Sequence, residues 1–69
     1  MQLSARNQLR GRIVDIKRGA VMAQVTLEIA GGARVASAIF VESVDALGLK
    51  PGDEAIAVIK STDVMIAVP

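Results

Sequence analysis

Sixty-nine residues without a cysteine or a histidine exclude disulfide bridges, a conventional zinc site and room for a second core. The net charge of +1 singles out no partner, while 52% of the residues are apolar and Phe40 is the sole aromatic. A chain this short hides only about 60% of the surface its unfolded form exposes. So much apolar material in so small a body predicts a single domain over 1–69 that buries part of its surface against copies of itself.

In chain order, Leu9 to Lys17 reads as a first strand, with Gly11 marking a bulge or a close backbone approach. Val21 to Ile29 alternates cleanly: Ala23, Val25, Leu27 and Ile29 share one face, and Met22, Gln24, Thr26 and Glu28 the other. Ala30-Gly31-Gly32 turns the chain, and Arg34 to Val41 returns as a third strand in a hairpin. Ser43 to Gly48 reads as one short helix, with Ser43 as N-cap, Asp45 in the positive first turn and Gly48 just past the end. Lys50-Pro51-Gly52-Asp53 is a turn. Glu54 to Lys60 is a fourth strand, Ser61-Thr62-Asp63 a polar loop and Val64 to Val68 a short fifth strand. Five strands with a helix after the third predict an all-β, OB-like, partly open barrel assembled as a homo-oligomer.

The residue types argue against an enzyme. Neither the usual general base nor a thiol is present, and the chain contains no phosphate-binding glycine loop of the GxxxxGK[ST] or GxGxxG type. Ser61 follows Lys60, but neighbours in a strand point to opposite faces and make a poor nucleophile–base pair. No apolar run is long enough to span a bilayer, and the opening MQLSARNQLRGR lacks the apolar stretch of a signal peptide. A cytoplasmic protein without a membrane partner is the expectation.

Charge is unevenly placed. Residues 1–18 carry Arg6, Arg10, Arg12, Lys17 and Arg18 against Asp15 alone, whereas acids outnumber bases beyond them. Such polarity suits an anion site near the N-terminus or a basic face for nucleic acid. Two polar clusters stand out: Ser4-Ala5-Arg6-Asn7 before the first strand, and Lys60-Ser61-Thr62 after the fourth. Each sets a fixed cation beside hydroxyl or amide donors, the equipment for holding a compact dianion. The plainer alternative is that Ser4 and Asn7 cap a turn and Lys60 is a strand-end charge.

SARNQLRG near the start, GAVMAQVTLEI, SVDALGLKPGD and the closing AVIKSTDVMIA together resemble the molbindin (Mop) family. These are single-domain relatives of the molybdate-binding domains of molybdate-responsive regulators and ABC-transporter ATPases. The resemblance covers residues 2–68 in order, and S-A-R-N at 4–7 and K-S-T at 60–62 are its most specific parts. It implies an OB-like fold in a homohexamer, a trimer of dimers, holding molybdate or tungstate at subunit interfaces, with no catalytic cofactor and no bare metal ion. Ser4, Ala5, Arg6 and Asn7 would then belong to one subunit, and Lys60, Ser61 and Thr62 to its neighbour. Backbone groups around Gly19, Ala20, Val21 and Met22 would add donors. Ser43 would line a second class of site on a symmetry axis or, more plainly, cap its helix.

Capture would be reversible, with the protein supplying hydrogen-bond donors to an intact oxyanion. Cavity size would discriminate against sulfate, and the lack of a placed acceptor against phosphate, which carries a proton near neutral pH. The rival reading is an OB-type nucleic-acid-binding module, which lacks its usual stacking platforms in a chain with one Phe and no Trp or Tyr. A purely structural assembly protein with incidental anion contacts is a third.

Overall fold

The structure, a computed structural model, describes residues 4–69. Strand β1 (Asn7–Arg18) is followed by β2 (Met22–Ile29), β3 (Arg34–Phe40), helix α1 (Val41–Leu47) and β4 (Glu54–Ile59), with 3-10 turns at Ala30–Gly32 and Ser61–Asp63. The strands form one antiparallel sheet in the order β3-β2-β1-β4.

The apolar alternation in β2 sets which face is covered. Ala23, Val25 and Leu27 are buried, and their partners on β3 are Ile39, Ser37 and Val35. On β1 the register shifts between Ile13 and Asp15, leaving Val14 as the extra residue. That bulge lets Ile13 and Ile16, three positions apart, sit opposite Leu27 and Val25 on the same face. Gly11 serves the other purpose foreseen for it: a Cβ there would lie 2.6 Å from the Glu28 carbonyl oxygen. Between β2 and β3 the turn takes φ angles of +86° and +87° at Gly31 and Gly32, a conformation other residues resist.

The helix begins at Val41, two residues earlier than its sequence suggests, so Ser43 is its third residue and not its cap. No side chain caps it; the Val41 N–H donates instead to the Val21 carbonyl at 2.8 Å, a long-range bond that replaces a local one. Glu42 occupies the acidic position of the first turn, while Asp45 pairs with Arg18 at 2.7 Å. Gly48 ends the helix in the left-handed conformation as expected, and its N–H caps the last carbonyls. Val44, 1% exposed, drives into the core formed by Ile13, Ala23, Val25 and Leu27. The 50–53 turn is fastened to β1 beside the bulge, where Gly52 N–H donates to Ile13 O and Ile13 N–H to Asp53 O, both at 2.8 Å.

One expectation is corrected. Residues 64–69 form no strand, and the sheet is an open, curled half-barrel with one helix, a mixed α/β arrangement and not a closed five-stranded all-β barrel. Met65, Ile66 and Val68 are 93%, 86% and 87% exposed. The unbroken apolar run Val64 to Val68 suits a strand, but no edge of the same chain pairs with it. Between β3 and β4 lies an apolar trough of about 620 Å³, lined among others by Val35, Ile39, Leu49, Ala55, Ala57 and Ile59.

Candidate oxyanion-binding site

Strand pairing decides which polar residues meet. Asn7 lies opposite Ile59 in the β1–β4 ladder, so the segment entering β1 and the segment leaving β4 emerge at the same end of the sheet. Ser4, Ala5, Arg6 and Asn7 thereby stand beside Lys60, Ser61 and Thr62 within one chain. The resemblance divides these clusters between two subunits; the register also puts both at one end of the sheet in a single chain.

Local structure positions each group. Ala5 is buried at 8% exposure and anchors the segment, while its carbonyl accepts a bond from Gln8 Nε2 at 3.2 Å. Arg6 on one side of it is exposed and Asn7 on the other is half-buried. Beyond β4, Lys60 is extended and the chain then tightens into the Ser61–Asp63 turn, closed by the Asp63 N–H donating to Lys60 O at 2.9 Å. The first N–H groups of such a turn have no acceptor inside it. Ser61 and Thr62 thus offer hydroxyls and amide hydrogens at one place.

Charge pairing sorts the cations only in part, since Lys17 and Lys50, like Arg6 and Lys60, enter no ion pair and no side-chain hydrogen bond among the described residues. Arg10, Arg18 and Arg34 are matched with Glu54, Asp45 and Glu28. Arg12 donates to the Gly52 carbonyl at 2.8 Å. Among the described residues, Arg6 and Lys60 enter no ion pair and no side-chain hydrogen bond, and they share one sheet end. Two uncompensated cations with two hydroxyls and an amide suit a tetrahedral dianion.

Ala20, Val21 and Met22 lie elsewhere. Ala20 and Val21 lie in the β1–β2 turn and Met22 opens β2; the turn is closed by Gly19 N–H to Met22 O at 2.7 Å, at the opposite end of the 12-residue β1. An extended segment of that length reaches on the order of 35 Å. One chain therefore does not place Ala20, Val21 and Met22 around the ion that Arg6 and Lys60 would hold. Ser43 is half-buried in α1, whose first residue is bonded to Val21, and so belongs to that far end as well. The hollow there is lined by Ala20, Val21, Phe40, Val41 and the acids Glu42 and Asp45, a poor receptor for an anion. The residue that sequence reading left out of the site is Asp63, a carboxylate in the same turn as Ser61 and Thr62, whose N–H donates to Lys60 O; its place directly after K-S-T at 60–62 is the signal that could have found it.

The family model described as TOBE domain matches residues 3–66. Over 66 residues the chain is 58% identical to molybdenum-pterin-binding protein 1 of Clostridium pasteurianum, covering 96% of this chain and 97% of that protein. The chain is a TOBE domain of the molbindin family. Its fold agrees with MopII from C. pasteurianum in an apo form, at a TM-score of 0.92 and 55% identity over 97% of this molbindin and 100% of that chain. It agrees equally with the cytoplasmic molybdate-binding protein ModG, solved with molybdate bound, at a TM-score of 0.96 and 49% identity. All of this chain matches 49% of ModG.

Proposed function

We propose that this molbindin captures molybdate, or the isosteric tungstate, reversibly and as an intact oxyanion inside the cell, in molybdenum storage or homeostasis. The observation that carries the reading is the pairing of Asn7 with Ile59, which sets unpaired Arg6 and Lys60 at one sheet end beside Ser4, Asn7, Ser61 and Thr62. The similarity to ModG, a cytoplasmic molybdate-binding protein, supports both the ligand and the cytoplasmic location. The named relatives are binding and transport proteins, which agrees with a non-catalytic role.

The site is completed by a second copy. Ala5, Arg6, Asn7 and Lys60, Ser61, Thr62 come from one chain, and the Ala20-Val21-Met22 turn of another supplies the remaining backbone donors. The distance between the two groups along β1 supports this division. The same assembly closes the barrel: residues 64–68 of one copy pair as a fifth strand in the trough between β3 and β4 of another. Open edges on β3 and β4 and the exposed Ile66 and Val68 support it. Further contacts through the exposed Val21, Met22 and Phe40 would join dimers into a hexamer, a trimer of dimers. Ser43, near that end, would line a second site on a symmetry axis.

Charge-assisted hydrogen bonds are about twice as strong as neutral ones, and exclusion of water by a second chain strengthens them. Arg6→Ala and Lys60→Ala should each lower molybdate affinity by at least about tenfold while the fold persists. Titration calorimetry on both variants tests this, with circular dichroism as the control for folding. Unchanged affinity in both would remove these residues from the site.

A further inference from the structure

The turn that presents Ser61 and Thr62 ends in a carboxylate. Asp63 closes the 3-10 turn through its own N–H, bonded to Lys60 O at 2.9 Å. That bond ties the Asp63 backbone to Lys60 and keeps the carboxylate in the same turn as Ser61 and Thr62. It is exposed and, among the described residues, forms no ion pair with Lys60 or any other cation. It is the one acid among residues 4–7 and 60–63. Nothing in the packing requires a charge there, since the side chain touches neither the core nor a buried polar group.

We infer that Asp63 is a charge-tuning residue of the oxyanion site: its carboxylate lowers affinity for dianions and keeps capture reversible. The inference rests on the reading that Lys60, Ser61 and Thr62 hold the oxyanion. Asp63 acts through space on an ion that Lys60 attracts, and it halves the net positive charge the two clusters offer. The penalty scales with the charge of the ligand. At roughly 7 Å and an effective dielectric constant of about 60, one carboxylate weakens a dianion about tenfold and a monoanion about threefold.

Tungstate and perrhenate make the test, being tetrahedral, nearly equal in size and different in charge. Equilibrium dialysis of the intact protein at low salt, with perrhenate read by displacement of tungstate, should show Asp63→Asn binding tungstate about tenfold and perrhenate about threefold more tightly. The tungstate gain should shrink as salt screens the charge, and Asp63→Glu should bind as the parent does. An equal gain for both anions would mean a reshaped turn and would overturn the inference, as would no gain or a loss. Lys60→Ala, measured alongside, keeps the two readings apart. If it binds tungstate as well as the parent does, the site itself is misassigned; if it loses binding while Asp63→Asn changes nothing, only the role of Asp63 falls.

Discussion

At the scale of single residues, the molecule uses a small side chain where backbones crowd, and the proposed oxyanion site draws on cations that no carboxylate pairs with among the described residues. Gly11 sits so close to β2 that a methyl group would overlap the Glu28 carbonyl, and relief requires moving backbone. Gly11→Ala should therefore destabilise the fold by about 2 kcal/mol, the usual range for overpacking, as a lower denaturation midpoint at fixed protein concentration. Arg10 and Glu54 pair diagonally across β1 and β4 on an exposed surface, a pair of the kind that contributes little to stability. Arg6, on the same strand's approach, has no such partner among the described residues.

At the scale of elements, α1 shows how tertiary context overrides a local signal. Seven residues are too few to form a stable helix alone. Two things hold this one: the Val41 N–H bonded to Val21 O, and Val44 packed at 1% exposure beneath the curled sheet. Val44→Ala removes two buried methyl groups and leaves a cavity beneath the helix, at a cost of about 2–3 kcal/mol. Urea denaturation checks the size of the loss. The bulge in β1 is the second such device. Without the extra residue Val14, Ile13 and Ile16 would face opposite sides of the sheet, and the core would lose one of its edges.

At the scale of the whole molecule, the chain is an open half-barrel with an exposed apolar tail, which the proposed assembly would use as a fifth strand. An apolar trough and an apolar tail on the same small body each expose what the other would cover. Reciprocal exchange between two copies satisfies both, and symmetry closes the contact after one exchange. Ile66→Asp should abolish this pairing, giving monomers by sedimentation at micromolar concentration where the parent protein is assembled. A parent that sediments as a monomer would contradict the exchange. The linkage runs to function as well, because the Ser61–Asp63 turn that leads into the tail also carries the proposed anion donors.

Much of this was legible in the residues. The alternation of β2, the hairpin return into β3 at Gly31-Gly32, Gly48 at the helix end and the 50–53 turn all follow from local stereochemistry, which acts between neighbours in the chain. The two polar clusters were visible for the same reason, as residue types in short segments. What lay outside local reach was set by pairing. The helix start depends on a carbonyl twenty residues away, and residues 64–69 form no strand because neither open edge, β3 or β4, pairs with them in the same chain. The meeting of Arg6 with Lys60 depends on the register of β1 against β4. Sequence by itself determined which elements form and which chemistry they carry, because propensity and side-chain type are local. Only the tertiary structure decided which groups share one end of the sheet and which lie a full strand apart, because hydrogen-bond register joins residues that sequence keeps far apart.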